Sequence, residues 1–284
     1  MTGILLLDKP MGMTSHDVVA QVRKALGTRE VGHAGTLDPN ATGLLVLAIG
    51  GATRWLNHLP GGKTYRATLR LGLATDTEDL WGAPTAQDDA PPPAEDALRA
   101  ALEGLTGLTQ QVPPMVSALK HEGRRLYQLA REGKQVERLP RPVSISAVRV
   151  LAQRGPEADF EVDCGPGTYV RSLCVEAGRR LGRPACLSAL RRLRSGAFDV
   201  EQALAKADWT AEALGGALLG ADAALAHLPA KDLSGAEAAD VGFGRSVAAP
   251  AGAAGTWRLN AGGRLLALAE AAAGRLQPKR VFHA

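Results

Sequence analysis

GHAGTLDPNATGLL (residues 32–45) sets three glycines, a histidine and an Asp-Pro pair directly ahead of an apolar run that continues as VLAIG to residue 50. LLVLAIG (44–50) is short, continuous and apolar, which predicts a strand buried on both faces. Ahead of it, Pro39 disfavours helical backbone at Asp38 and holds that residue extended. The glycines supply conformations that other residues resist. On residue chemistry alone, Asp38 either presents a carboxylate rigidly or closes an Asx turn.

Working outward, GILLL (3–7) reads as a second buried strand. TSHDVVAQVRKALG (14–27) predicts a helix, capped by Thr14 or Ser15, with Val18, Val22 and Leu26 at helical spacing and Gly27 as its stop. KTYRATLRLG (63–72) alternates as a third strand, and the acidic stretch 76–94, ending in PPP, predicts a surface loop. EGRRLYQLAREG (122–133) predicts a basic helix with Leu126, Leu129 and Ala130 on one side. RPVSISAVRVLAQR and DFEVDCG predict paired strands, and GPGTYVRSLCVEAGRRLG (165–182) a turn running into a helix. Interleaved strands and helices make the fold class α+β (mixed α/β). Residues 205–230 are rich in alanine and leucine, which predicts helix. Glycine-separated apolar runs such as GTWRLN and GRLLALAE predict a small β-rich domain over 231–284, leaving 1–230 as the main domain.

Composition narrows the function classes. No apolar run in the 284 residues reaches the length of a membrane span, and MTGILLLDKP lacks the basic start of a signal peptide. Cys164, Cys174 and Cys186 have no CxxC spacing and predict reduced, buried thiols in a cytoplasmic protein. Residues 118–149 carry eight Lys/Arg against three Asp/Glu, and 171–194 seven Arg against one Glu. Two basic segments fit either a face for nucleic acid or arginine-rich helices with solvated sides. HExxH, EF-hand, P-loop and GxSxG patterns are absent. No second acid near Asp38 supplies the pair a glycosidase needs. A lone aspartate still permits attack at a sugar carbon or removal of a proton, with an arginine partner to stabilise its charge.

KPMGMTS (9–15), GHAGTLDPNATGLL (32–45), KTYRATLRLG (63–72), GTYVRSL (167–173) and LRRLRSGAF (190–198) resemble, in order and spacing, the motifs of the TruB family, bacterial synthases of pseudouridine at tRNA position 55. The resemblance implies a pseudouridine-synthase fold: a central mixed, mostly antiparallel sheet flanked by helices, followed by a reduced PUA-like domain. It implies that Asp38 is the catalytic aspartate, that Tyr65 lies against the target base and that Arg171 pairs with the carboxylate. Tyr169 and Leu190 would line the same pocket, His33 would contact RNA, and Lys9, Pro10 and Gly35 would support the catalytic loop. Residues 111–141 correspond to an insertion that clasps the RNA arm. No cofactor and no metal are implied; the partner is the tRNA T-arm stem-loop, met by a monomer. A tRNA-binding or tRNA-folding protein on the same scaffold, or a synthase working in a guide-RNA particle, would share these motifs. Val116, His121 and the Gly165-Pro166 pair depart from the family pattern.

Overall fold

The computed structural model describes residues 1–282. Eight strands make the main sheet: β1 (Gly3–Lys9), β2 (Val31–His33), β3 (Thr42–Ile49), β4 (Lys63–Leu71), β5 (Ile145–Arg154), β6 (Glu157–Cys164), β7 (Ala185–Ser195) and β8 (Phe198–Asp199). They run in the order β1-β3-β7-β4-β6-β5, with β2 added to β3 and β8 to β7. Every pairing is antiparallel except β3–β7, which meets through Arg191↔Thr42 and Arg192↔Gly43.

The continuous apolar runs are explained by burial on both sides. Leu45, Leu47 and Ile49 of β3 pack with Leu5 and Leu7 against Val18, Val19 and Val22 of helix α1 (Ser15–Leu26). Leu44, Val46 and Ala48 face the other way, with Ile4 and Leu6, against Trp55, Phe198 and Leu268. By contrast β4 alternates, because only one of its faces is in the core. Tyr65, Ala67, Leu69 and Leu71 pack with Phe160 and Val162, while Arg66, Thr68 and Arg70 lie opposite Glu161, Asp159 and Glu157 and pair with them across the strands. Thr14 and Asp17 form the capping box of α1, and Gly27 ends it in left-handed backbone.

Three expectations change. Residues 205–230 form a 3-10 turn, Lys206–Asp208, and the short helices Ala211–Gly216 and Ala221–Ala224, because glycines at 215, 216 and 220 break the alanine-rich pattern. The 76–94 loop contains a strand, Pro84–Gln87, that pairs with Leu73–Thr75. The basic helix shrinks to Leu126–Arg131: Glu122 and Gly123 both have positive φ and make a tight turn between Lys120–His121 and Arg124–Arg125.

The C-terminal sheet has the order Ala230–Asp232, Thr256–Ala261, Arg264–Ala272, Arg275–Val281, Val247–Ala248, with the helix Gly235–Gly242 against it. It docks on the main sheet through fully buried Leu268 and an edge-on contact of the Trp55 and Phe282 rings. Among the described residues no helix is long and apolar enough to cross a membrane.

The β3–β7 junction demands glycine at 43. Its φ is +98°, and a Cβ there would lie 2.3 Å from the carbonyl oxygen of Arg192. Gly43→Ala is expected to cost about 2–4 kcal/mol in urea unfolding. An unchanged midpoint would show that the junction can relax.

Candidate active site

The loop from Ala34 to Ala41 joins β2 to β3, and its carbonyls are held from beneath by buried cations. The Lys9 ammonium, fully buried, donates to the carbonyls of Pro10 (2.9 Å), Met13 (2.6 Å) and Pro39 (3.0 Å). Burial pushes its pKa down to about 8, against the opposing pull of the Asp38 carboxylate. Three acceptors need three N–H donors, so the clamp is complete only in the ammonium form. Arg192, also buried, donates from Nε to Leu44 (2.6 Å) and from Nη2 to Gly35 (3.2 Å). Ser15, the first residue of α1, accepts from the Leu37 amide at 2.9 Å. The loop is therefore fixed to β1, β7 and α1 together.

Above this support Asp38 stands half-exposed. Its Oδ2 lies 3.0 Å from Nε of Arg171, whose side chain is only 4% exposed against 41% for the aspartate. Arg171 belongs to helix α4 (Val170–Arg180), and its other nitrogens donate to the carbonyls of Thr77 (2.7 Å) and Val116 (2.9 Å). All three nitrogens are thus engaged, and the guanidinium plane cannot turn away from the carboxylate. The Val116 contact uses only backbone, so the departure at that position leaves it intact. Next to Arg171, the Tyr169 backbone is gripped twice by the Gln111 side chain, at 3.0 and 2.9 Å.

The pair opens on a pocket of about 250 Å³ whose lining includes Asp38, Lys63, Tyr65, Tyr169, Arg171 and Leu190. Tyr65 projects from β4 and is 6% exposed; its burial, like that of Tyr169, pushes the phenol pKa up and keeps both rings neutral. Five of the six residues expected to act or bind substrate therefore meet at one cavity. His33 does not line it. Its Nδ1 accepts from the Gly35 amide at 3.3 Å, its ring meets that of His16 edge-on, and burial lowers its pKa. Lys9, Pro10 and Gly35 lie in the support below.

Sequence reasoning did not single out Arg192, Gln111 or Lys63, and read Ser15 only as a helix cap. Arg192 was hidden in a basic segment whose charge turns out to be consumed internally. Among the seven arginines of 171–194, Arg179 and Arg180 pair with Glu176, Arg183 with Asp88, Arg191 with Asp8 and Arg194 with Asp199. Arg171 and Arg192 are spent on Asp38 and on loop carbonyls. Every arginine of that segment thus has an acidic or carbonyl partner, while Arg179 and Arg194 stay largely exposed. In the other segment Arg124 pairs with Glu132 and Arg149 with Asp163, while Arg131 lies over the Tyr127 ring.

Residues 23–170 match the N-terminal domain of the TruB family pseudouridylate synthases, and residues 229–282 match the C-terminal domain of pseudouridine synthase II TruB. The chain belongs to the TruB family. Two curated TruB relatives named tRNA pseudouridine synthase B illustrate the likeness. The protein of Aromatoleum aromaticum is 46% identical, over 98% of this chain and 92% of its own length. That of Syntrophotalea carbinolica is 49% identical, over 72% and 67%. Among solved structures, a chain of a Cbf5-Nop10-Gar1 complex superposes with a TM-score of 0.77 at 29% identity, covering 99% of this chain and 85% of that one. A chain of an H/ACA RNP bound to a substrate RNA containing 2′-deoxyuridine superposes at 0.75 and 26% identity, covering 99% and 85%. The mixed, mostly antiparallel sheet with its β-rich C-terminal domain is thus the fold of pseudouridine synthases.

Proposed function

We propose that this protein isomerises uridine to pseudouridine in tRNA, at the target uridine of the T-arm loop, acting as a cytoplasmic monomer with Asp38 as the reacting carboxylate. The observation that carries the reading is the Asp38–Arg171 pair, fixed at the wall of a pocket that Tyr65, Tyr169 and Leu190 complete. Relatives that share the family are named for this reaction on tRNA.

A stacked uridine cannot reach such a pocket, so it must flip out, at a cost of about a few kcal/mol. Tyr65 and Leu190 then hold the base by stacking and packing. His33, at the end of β2 just before the Asp38 loop, meets the RNA that the base leaves. Asp38 either attacks C1′, displacing N1 of the uracil, or removes the C2′ proton to expel it. The freed base takes up a proton on N1 and rotates, and C5 bonds to C1′ as the Asp38 carboxylate leaves that carbon or, on the elimination route, as the proton returns to C2′; the proton on C5 is then lost to water. Arg171 holds the carboxylate in line throughout. The reaction neither gains nor loses electrons, and no cofactor is required. Residues 1–230 form the catalytic domain in this reading, with 111–141 clasping the T-arm and 231–284 as a PUA-like RNA-binding domain.

The test is a T-arm hairpin tritiated at C5 of its uridines. One equivalent of label per hairpin should pass to water, and sequencing should place the product at one position. Failure to release label from any tRNA would leave a tRNA-binding protein on the same scaffold.

The clasping segment has its own test. Replacing Arg124, Arg125 and Arg131 with glutamine should weaken tRNA binding and flatten its salt dependence. The log–log slope should fall by about 0.7 to 0.9 for each phosphate that is no longer neutralised. A slope equal to the wild type's would mean that this segment faces away from the RNA.

A further inference from the structure

Lys63 is a pocket cation without a counter-ion, and we propose that it grips a phosphate flanking the flipped uridine. The inference rests on the isomerase reading above and adds a substrate contact to it.

Lys63 and Tyr65 are next-but-one residues of β4, so their side chains share a face, and both line the pocket. Lys63 also borders two smaller hollows. One is mostly apolar, with Leu59, Pro60 and Phe198; the other is polar, with Thr64, Asp163 and Arg194. It therefore stands where three recesses meet. Its ammonium lies against the start of the Asp38 loop: a Cβ on Gly35 would sit 3.1 Å from Nζ. Glycine at 35 leaves room for this side chain.

The other buried cations near the loop are all occupied. Lys9 and Arg192 hold carbonyls, and Arg171 holds Asp38. Lys63 is half-buried, and among the described residues its ammonium has neither a hydrogen bond nor an ion pair. Burial, and then the neighbouring Arg192, lower its pKa, against a smaller opposing pull from Cys164, and among the described residues no carboxylate pairs with the charge. An uncompensated, partly desolvated charge at a cavity is expected where a ligand supplies the counter-charge.

The chemistry of that ligand follows from the substrate. Asp38 is already paired, and uracil is neutral. A uridine lying on Tyr65 brings two full negative charges, its 5′ and 3′ phosphates, to the mouth of the pocket. Same-face neighbours on a strand stand roughly 7 Å apart, which puts Lys63 about one base-to-phosphate reach from the Tyr65 ring. The contact anchors the flipped nucleotide at a point separate from the Asp38–Arg171 pair.

Lys63→Met removes the charge and keeps most of the volume. Affinity for the T-arm hairpin should fall about tenfold, with the salt slope lower by about 0.7 to 0.9. The thermal midpoint should rise, because an unpaired charge leaves a desolvated site; a lysine serving the fold would lower it. Lys63→Arg should bind close to wild type. Hairpins with a neutral methylphosphonate 5′ or 3′ to the target uridine locate the partner. At one of the two positions the wild type should weaken as much as Lys63→Met does, and the variant should lose nothing further. Independent, multiplying losses at both positions would overturn the assignment, as would unchanged affinity of Lys63→Met. Label release by the wild type from the unmodified hairpin is scored in parallel. Its failure would sink the isomerase reading, while the affinity cycle still decides Lys63.

Discussion

Arg171→Leu is expected to lower label release from tRNA by about a thousandfold or more, with tRNA affinity reduced far less. Arg171 fixes the carboxylate at 3.0 Å while two carbonyls fix the arginine, so its loss releases Asp38 and strands the carbonyls of Thr77 and Val116. Stranding those carbonyls also costs about 1–3 kcal/mol of stability each, so the leucine variant must be shown to fold. Arg171→Lys separates the two effects. It keeps the charge, but its single nitrogen cannot span a carboxylate and two carbonyls in the directions a planar guanidinium does. A folded Arg171→Lys protein should bind tRNA and still lose about a hundredfold or more in single-turnover rate. Wild-type turnover by that variant would show that positive charge suffices and that the aim of the carboxylate does not matter.

What the sequence revealed, and what it concealed, divides along physical lines. Local rules were enough for α1, because its Thr14 cap, valine spacing and Gly27 stop all act within one helix. Strand β3 was legible because burial on both faces leaves an unbroken apolar run, and β4 because a one-sided core leaves alternation. Asp38, Tyr65, Tyr169, Arg171 and Leu190 came from motifs lying far apart in the chain, and the sheet order β3-β7-β4 with α4 behind it brings them together. Long-range partnership was not legible. Arg192 looks like any arginine of a basic strand until Gly43 is seen to bring β3 against it. Lys9 and Lys63 are both lysines at strand ends, yet one is saturated by carbonyls and the other has no partner among the described residues. The docking of Leu268 under Trp55 had no local signal, since each lies in a sheet or helix that reads as complete alone. In 205–230 the alanines favoured helix, but three glycines and the demands of docking prevailed.

The largest effect belongs to Asp38. Asparagine keeps its size, its place before Pro39 and its capacity to accept from Arg171, but it lacks the negative charge. An amide oxygen is a poor nucleophile toward C1′ and a poor base toward the C2′ proton, so both routes fail together. The support beneath the loop acts on backbone carbonyls and the Ser15 hydroxyl, none of which the substitution touches, so the fold should be preserved. Phosphate contacts come from other residues, so RNA affinity should persist. Single-turnover release of C5 tritium from a T-arm hairpin, with affinity measured on the same preparations, puts the central claim to the test. The account predicts that Asp38→Asn binds the hairpin within a few-fold of wild type and releases label about ten thousand times more slowly or not at all. Release at the wild-type rate by a folded, binding Asp38→Asn protein would contradict it.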